Sequence, residues 1–409
     1  MVTIRPFRAL RYNPELISDL GRVLSPPYDV IDADEQERLY QVSPYNIVRL
    51  ILGKSSPRDT DQDNRYTRAR RDFDAWQESR VLSRDPTPAL YLIEHTFAED
   101  GHARSRVGFI ALLELGDAVE RAVYRHEATL AAPKHDRMKL LETVPASLEP
   151  VFCVYPDAGG AMQARLRALI AGAAPTAHAT MSGETIRVWA MTEPSVIQEL
   201  GRALARVAVL IADGHHRFEV AYAQRARCGA LMSYFVSMAE PSLVVRPIHR
   251  LVTLGPKATP EILEPLCRIE PFTDLAAVIR WLEDDQGERG RFGYYDGRAL
   301  YGLTVRPDRA ARWLMAPTVP LPLATLDLSL LHGLVLPELG VDKDDIRYTA
   351  DATQAVQAVD RLDAESAWLL RGIPLAQVYA LASQGLTLPP KSTYFYPKVP
   401  SGLTIHPLV

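Results

Sequence analysis

Five consecutive residues carry the densest reactive chemistry in this chain: Asp213, Gly214, His215, His216 and Arg217. The β-branched run VAVLIA before them predicts a strand, and the apolar periodicity of FEVAYAQRA after them predicts a helix. Free N–H groups and the positive end of the helix dipole meet at such a turn, where glycine lets an oxyanion approach the backbone. Two imidazoles and a guanidinium add donors, so the stretch predicts an anion-binding site. The alternative is that the histidines only pack or cap the helix.

A second polar stretch, YRHEATLAAPKHDRMKLLE, carries a carboxylate suited to acid–base chemistry. Glu127, beside His126, could act as a general base, and Lys134 and Arg137 follow as candidates for substrate binding. The alternative is a solvated helix start of mixed charge, which the spacing alone favours.

A third stretch, LPPKSTYFYPKVPSGL, places Lys391, Ser392 and Thr393 together, with Lys398 after them. A lysine followed by two hydroxyls suits a phosphate or a metal-bound phosphate, although the GxxxxGK frame of a P-loop is missing. The alternative is a proline-rich clasp with solvated lysines. Packing is the better interpretation for five weaker candidates: Asn46, Arg49, Arg246, His249 and Arg250.

The elements that must position these residues follow from the hydrophobic pattern. In residues 1–58, the runs LSPPYDVI and SPYNIVRLILGK predict loops feeding short strands, because Pro-Pro and Ser-Pro disfavour helix. Residues 59–80 predict an amphipathic helix, and ALYLIEHTF with RSRVGFIALLEL predicts a hairpin around AEDGHA. Helix-like stretches then alternate with short strands over residues 257–384, which indicates an α/β fold.

The length of the chain indicates how many domains it has, and its charge indicates which class of partner it binds. The 409 residues suggest two or three domains. We expect a core region with the phosphate loop and the candidate base over residues 1–240, and a second α/β region over residues 241–384. A C-terminal segment, residues 385–409, is expected to fold back on the same cleft. The net charge of −4 and scattered cations argue against nucleic acid as a partner, but a small phosphate ligand needs only a few local cations.

The cysteines and the hydropathy point to a location. Cys153, Cys228 and Cys267 lie far apart without a CxxC, which indicates reduced thiols rather than disulfides or a zinc site. The start MVTIRPFRAL lacks the apolar run of a signal peptide, and no stretch reaches 18 apolar residues. We therefore expect a cytoplasmic protein without a membrane partner.

Five motifs together resemble the bacterial and archaeal family catalogued as domain of unknown function 1015: PPYDVI, YNIVRL, RHEATLAAPKHDR, ADGHHRFEVA and LPPKSTYFYPKVPSGL. They run from residue 26 to residue 403, so the resemblance covers nearly the whole chain. Leu388 departs from the family pattern, where methionine is expected.

The DGHHR stretch alone also resembles the second box of the ParB/sulfiredoxin superfamily, whose members bind nucleotide phosphates at a helix N-terminus. The resemblance implies an α/β fold of mixed sheets, with a ParB/sulfiredoxin-like core and large elaborations. Sulfiredoxins carry a cysteine where this chain has His215, which argues against sulfinic-acid reduction because the attacking thiolate is missing.

Free-serine kinases of that superfamily carry an HE pair, matched here by His126 and Glu127, and a DGHHR loop. In them the glutamate takes the proton of the serine hydroxyl and the loop holds the phosphates. The HE pair of this chain lies about 85 residues before the loop, a wider spacing than in the compact kinases.

The resemblance and the residues together predict a kinase that phosphorylates free L-serine or a related small hydroxyl compound. Glu127 is the expected base, with His126 and Asp213 as the other catalytic candidates. The expected phosphate ligands are Gly214, His215, His216, Arg217, Lys391, Ser392, Thr393 and Lys398. The expected substrate-binding residues are Asn46, Arg49, Lys134 and Arg137.

The donor, the metal and two rival functions stay open at this point. ATP, ADP or pyrophosphate would serve as donor, with Mg²⁺ expected and Asp213 as its candidate ligand. One alternative is a ParB-like nucleotide-binding regulator without catalysis, and another is a hydrolase of phosphate esters. The sequence does not fix the oligomeric state.

Overall fold

The computed structural model describes residues 1–99, 101–255, 258–284 and 287–408. The chain forms two compact units. The first consists of Met1–Arg125, Thr129–Val244 and Pro397–Val409, and the second of His126–Ala128 and Val245–Tyr396. The chain therefore leaves the first unit twice and returns to it twice.

The first unit is built on a mixed sheet. The strands of the unit are β1 (Ile4–Arg5), β2 (Leu10–Tyr12), β3 (Leu82–Arg84), β4 (Leu90–Glu99), β5 (His102–Glu114), β6 (Val123–Tyr124), β7 (Ala146–Ser147), β8 (Val151–Tyr155), β9 (Ala177–Met181), β10 (Glu184–Met191), β11 (Val209–Asp213) and β12 (Ala230–Ser237). Strands β2 and β3 pair with each other outside the mixed sheet. The order across the sheet is β6-β11-β8-β12-β5-β4-β10-β9, with β1 also paired to β5. The β11–β6 and β12–β8 pairs are parallel, and the other pairs are antiparallel.

The central strands of this sheet are apolar on both faces. All residues of β8 and β12 are buried. A strand covered on both sides reads as a continuous apolar run rather than an alternation, which is the pattern of VFCVY and ALMSYFVS. These strands, with the predicted hairpin β4–β5, confirm the mixed α/β class. Asp100, which falls between β4 and β5 in the sequence, lies outside the described residues.

The helices of the first unit are α1 (Ala33–Val42), α2 (Val48–Ile51), α3 (Arg65–Glu78), α4 (Val119–Ala122), α5 (Ala131–Thr143), α6 (Ala161–Ile170), α7 (Pro194–Leu204), α8 (His215–Ala223) and α9 (Arg225–Cys228). The helix predicted within residues 59–80 is confirmed as α3. The expectation that PPYDVI and YNIVRL lead into short strands is wrong, because a 3₁₀ turn covers Tyr28–Val30 and α2 covers Val48–Ile51. The helix α1 was not predicted, although the side chain of Asp32 caps it by accepting the N–H of Glu35.

The second unit contains an antiparallel sheet. Its strands are β13 (Val244–Arg246), β14 (His249–Val252), β15 (Cys267–Phe272), β16 (Arg291–Tyr295), β17 (Leu300–Val305), β18 (Ile346–Thr349), β19 (Ser366–Leu369) and β20 (Tyr394–Tyr396). The sheet order is β15-β17-β16-β19-β14-β18, and β13 pairs with β20. Its helices are α10 (Pro260–Leu263), α11 (Leu275–Glu283), α12 (Pro307–Met315), α13 (Leu321–Ala324), α14 (Asp327–Leu330), α15 (Leu336–Glu338), α16 (Ala352–Asp360) and α17 (Leu375–Ser383). A π-helical turn, Leu331–Val335, joins α14 to α15.

The chain finally returns to the first unit with β21 (His406–Pro407), which pairs with β7. The side chains of Val399, Leu403 and Ile405 are buried. These residues of the C-terminal stretch therefore pack within the first unit. Within the described residues, no helix is long and apolar enough to cross a membrane.

Candidate functional site

The DGHHR stretch forms a strand-to-helix turn. Strand β11 ends at Asp213, Gly214 has a φ of 93°, and α8 begins at His215. The Phe218 N–H donates to the Gly214 carbonyl at 2.9 Å, closing the first turn of α8. The earlier N–H groups of a helix have no acceptor within it, and the positive end of the helix dipole lies there. The predicted turn geometry is confirmed.

The side chain of Arg217 turns back onto the loop. One Nη donates to Asp213 Oδ2 and the other to the Pro150 carbonyl, both at 2.6 Å. A Cβ built on Gly214 would lie 3.0 Å from this guanidinium. Gly214 is thus required by its positive φ and by the room that Arg217 takes. Phosphate binding by Arg217 stays a prediction and would require it to exchange these partners.

Lys398 binds the same aspartate from the C-terminal stretch. Its Nζ lies 2.6 Å from Asp213 Oδ1 and also forms an ion pair with Asp29. We call Asp29, Asp213, Arg217 and Lys398 the Lys398 cluster. Its two carboxylates and two cations cancel in charge. Any attraction of the loop for anions therefore rests on the helix dipole and backbone N–H groups more than on these cations.

The carboxylates around Arg217 and Lys398 keep these two side chains charged. Burial alone lowers the pKa of Arg217, but the carboxylates of Glu149, Asp213 and Asp29 outweigh it and raise that pKa above its usual range. Burial likewise lowers the pKa of Lys398, and Asp213 and Asp29 raise it overall. Both side chains stay cationic at neutral pH.

Glu149, which lies just before β8 in the sequence, supports the cluster. Its Oε1 accepts the backbone N–H of Tyr28 at 3.1 Å and the hydroxyl of Ser401 at 3.0 Å. Its Oε2 lies 3.6 Å from Arg137 Nη1, and that guanidinium stacks 3.8 Å above the ring of Tyr28. Arg137 also donates to the Ile51 carbonyl at 2.9 Å. These contacts bring the PPYD, PKHDR and VPSG motifs into one buried network.

His216 fixes the segment that follows the HE pair. Its Nε2 accepts the Leu130 N–H at 3.0 Å. On the same helix, Glu219 accepts the Thr129 hydroxyl at 2.7 Å and pairs with Lys134 Nζ at 3.1 Å. The residues just before α5 are thereby held against α8.

The two histidines of the loop differ in exposure. His215 is 5% exposed, whereas His216 is only partly buried. Of this pair, His216 is therefore the better placed to meet a ligand.

The HE pair belongs to the second unit and lies against the KST stretch. Glu127 accepts the Lys391 N–H, and His126 Nε2 is hydrogen-bonded to Thr393 Oγ1 at 2.8 Å. The Leu388 N–H donates to the His126 carbonyl at 2.8 Å. Two of the three stretches chosen from the sequence therefore meet in this unit.

The backbone at Lys391 is constrained. Its φ is 60°, a left-handed conformation that non-glycine residues rarely adopt, while its side chain is exposed. Its carbonyl accepts Nη2 of Arg250 at 3.0 Å. The hydroxyl of Ser392 donates to the Pro389 carbonyl at 2.5 Å. Strained backbone of this kind clusters at ligand sites.

The remaining candidates make mainly structural contacts. The amide of Asn46 is buried and donates to the carbonyls of Arg22 and Leu24 at 3.0 and 2.8 Å. Arg49 donates to the Tyr40 carbonyl and stacks on its ring.

In the second unit, the weaker candidates also have partners. Arg246 stacks 3.5 Å above the ring of Tyr396. The Nδ1 of His249 accepts the Leu370 N–H at 3.1 Å, and burial, with the nearby Arg250, lowers the pKa of His249 to about 4.

The structure does not offer Asp213 as a free metal ligand. Both of its oxygens accept from cations, Oδ2 from Arg217 and Oδ1 from Lys398. Among the described side chains, no group of three or more histidine, cysteine, aspartate or glutamate residues could hold a metal ion. A Mg²⁺ ion at Asp213 would have to displace one of these cations first.

Two residues that contact these motifs, the exposed Asp29 and the buried Glu149, were missed by the sequence analysis. Asp29 stands in PPYDVI, a motif that had been noted without a role. A carboxylate that directly follows a rigid Pro-Pro-Tyr turn is the signal that would have identified it. No sequence pattern near Glu149 indicates its role.

Comparison with known proteins gives a family. The family model described as a protein of unknown function, DUF1015, matches residues 4–329. No curated protein matches the chain in sequence.

Three solved structures are similar to parts of the chain. A conserved hypothetical protein from Pyrococcus furiosus is 11% identical with a TM-score of 0.36, covering 73% of this chain and 95% of its own. SbnI from Staphylococcus aureus, with a C-terminal truncation, is 12% identical with a TM-score of 0.38, covering 73% and 87%. A mutant free serine kinase in complex with ADP is 12% identical with a TM-score of 0.36, covering 70% and 87%. Such scores lie too low to transfer a function.

Proposed function

We propose that this chain, which belongs to the DUF1015 family of unknown function, is a small-molecule phosphotransferase. Because the family description names no activity, the proposal rests on the chain's own residues. The donor is a nucleotide or pyrophosphate, and the acceptor is the hydroxyl of a small compound such as free L-serine. Phosphoryl transfer requires little covalent chemistry from a protein, but it requires positioning, charge stabilisation and a base for the hydroxyl.

The start of α8 is the observation that carries the proposal. Gly214 allows the chain to turn directly from β11 into α8, which leaves the first N–H groups of the helix at the loop. Backbone donors at a helix N-terminus are a recurrent phosphate site because they carry partial positive charge without a mobile side chain. The Lys398 cluster supports the role by holding Asp213 and Arg217 in one arrangement.

Glu127 is proposed as the general base. Its carboxylate accepts the Lys391 N–H, a contact that orients it. Lys391 and Thr393 are proposed to bind the donor or the transferred phosphoryl group. A metal ion takes part only when it is bound to the donor phosphates, as Mg²⁺ commonly is.

A screen for phosphate transfer tests the proposal. ATP, ADP and pyrophosphate are each incubated with a panel of amino acids and polyols, with and without Mg²⁺, and the products are identified by mass spectrometry. We expect one acceptor to gain the mass of a phosphoryl group. The same panel without an acceptor measures donor hydrolysis.

The outcomes separate the three functions. Release of inorganic phosphate at an equal rate with and without acceptors would replace the kinase with a hydrolase. Saturable nucleotide binding without any product would favour a regulator, in which Glu127 has no catalytic role. Absence of both binding and turnover for all three donors contradicts the phosphate site itself.

A further inference from the structure

A cavity of about 320 Å³ lies within the second unit, and no role has been assigned to it above. Its wall combines the charged residues Arg250, Glu283, Asp327 and Arg371 with an apolar surface. The apolar part is formed by Ile248, Leu282, Leu326, Leu328, Leu370 and Ile373. This volume is at the lower end of the range for small-molecule sites.

Arg250 is the unusual member of this wall. It is 1% exposed, and its Nε donates to His332 Nε2 at 2.9 Å. Its two Nη atoms donate to the carbonyls of Ile248 and Lys391. All three acceptors are neutral, since burial, with Arg250 beside it, lowers the pKa of His332 to about 4. Across the parts of the chain that the structure describes, no carboxylate forms an ion pair with Arg250.

The charge of Arg250 persists nevertheless. Burial lowers its pKa to about 10, against the opposing effect of Tyr348, whose ring centroid lies 5.3 Å from the guanidinium carbon, and of the Glu127 carboxylate. At neutral pH the guanidinium is therefore still protonated. A buried cation without a paired anion is costly, and buried charges in proteins are normally paired.

Arg250 has more N–H donors than its hydrogen bonds within the protein use. A guanidinium has five N–H donors. The three hydrogen bonds given above use three of them, which leaves one N–H on each Nη of Arg250, a residue that lines the cavity. Two N–H groups of one guanidinium match the two oxygens of a carboxylate.

The other charged residues of the cavity wall are paired or screened by water, so the ligand should carry a single negative charge. Arg371 is already paired with Asp327, which also accepts the Gly290 N–H at 2.6 Å. Glu283 lies at the exposed end of α11, where water screens it. One uncompensated positive charge calls for a monoanion. A phosphate monoester would bring close to two negative charges.

We propose that this cavity binds a small monocarboxylate, whose carboxylate pairs with Arg250 and whose hydrocarbon body contacts the apolar wall. The proposal does not depend on the phosphotransferase activity. It would persist if no phosphoryl transfer were found.

Three probes of similar size test the charge requirement. Butyrate, its neutral isostere butyramide and inorganic phosphate are titrated into the full chain, with binding followed by ligand-observed NMR and by the shift of the melting temperature. We expect butyrate to bind at least about tenfold more tightly than butyramide or phosphate, because only butyrate forms a charge-assisted pair of matching charge. Equal binding of butyrate and butyramide, or tighter binding of phosphate, overturns the proposal.

Variants locate the site. Arg250→Met should abolish the preference for butyrate over butyramide. If that variant does not fold, Gln377→Trp serves, since Gln377 is an exposed residue of α17 that lines the cavity. Its indole should fill the cavity and weaken butyrate binding about tenfold or more. Ala380→Trp, on the same helix but outside the wall, is the matched control and should bind like the parent chain. Unchanged binding in Gln377→Trp rejects the site.

Discussion

Lys398 and Asp213 form an ion pair with 2.6 Å between Nζ and Oδ1, which ties the C-terminal stretch to the start of α8. The side chains are 10% and 16% exposed, so water screens the pair only weakly. Lys398 also reaches Asp29, and Asp213 also holds Arg217. The loop proposed to bind phosphate is thus positioned by residues from distant parts of the sequence.

Replacing Lys398 with methionine should destabilise the first unit strongly. Removing one partner of a buried pair leaves an uncompensated charge, and such changes cost about 3–5 kcal/mol of the free energy of unfolding. The midpoint of urea denaturation measures the loss. Lys54→Met is the control, because its pair with Glu37 is largely exposed and should leave the midpoint nearly unchanged. Equal midpoints for the two variants would mean that the Lys398 cluster does not stabilise the fold.

Replacing Gly214 with alanine should cost more stability than the same change at Gly183. Both glycines have positive φ, 93° and 80°, so both substitutions carry the backbone strain of about 1–2 kcal/mol. Only at Gly214 does the new Cβ meet a neighbour, the guanidinium of Arg217 at 3.0 Å. Gly183 has open space around it. We expect a further loss of about 1–3 kcal/mol at Gly214 in denaturant titrations, from overpacking. Identical losses would show that Arg217 moves aside freely.

Glu127→Gln should lower turnover by roughly 10²–10⁴-fold in whichever donor–acceptor pair the screen identifies, because a general base is lost. Donor affinity should change little, since phosphate binding is assigned to other residues. Glu199→Gln, an exposed glutamate of α7, is the matched control and should retain full activity. Full activity of Glu127→Gln, measured on protein with an unchanged circular dichroism spectrum, removes the base assignment while leaving the anion site intact.

Arg217→Ala should lower the stability of the fold, and donor binding should weaken as a consequence. Its guanidinium holds Asp213 and the Pro150 carbonyl, so its loss leaves a largely buried carboxylate with one cation fewer. We expect a lower urea midpoint, together with weaker donor binding as the loop loosens. If the midpoint is unchanged and only donor binding falls, Arg217 contacts the phosphates directly.

The contribution of Glu219 to stability should depend on pH. Burial raises the pKa of Glu219, but hydrogen bonds from Thr129 and Lys134 outweigh it and lower that pKa overall. A carboxyl with a depressed pKa stabilises the fold above its unfolded pKa of about 4.3 and loses that contribution as the pH falls through the folded value. The difference in melting temperature between the parent chain and Glu219→Gln should therefore be larger at neutral pH than in acid. A difference that does not vary with pH contradicts this expectation.

The elements around the loop could be predicted because their signals are local. VAVLIA is short, β-branched and apolar, and the helix after it shows regular periodicity, so β11 and α8 followed from neighbouring residues alone. The helix α1 was overlooked because the Pro-Pro sequence before it suggests loop. Asp32, three residues before Glu35, was the capping signal that should have outweighed it.

The side-chain partners of the site could not be predicted in the same way. Arg217 and Lys398 were chosen for their affinity for phosphate, and that affinity is the same chemistry that lets them bind Asp29 and Asp213. Which anion a cation meets depends on how distant segments pack, and composition or periodicity does not encode this. The proximity of Glu127 to Lys391 likewise arises from long-range folding.

The return of the chain to its first unit has a consequence for how the protein is made. Residues 397–408 contribute Lys398, Ser401 and strand β21 to the first unit, yet they leave the ribosome after the whole of the second unit. Until then, Asp29 and Asp213 lack their shared cation, and β7 lacks its partner strand. Domains usually fold as units in the order of their synthesis. Here the unit begun first is completed last, so a ribosome stalled within residues 245–396 would present a protease-sensitive first unit.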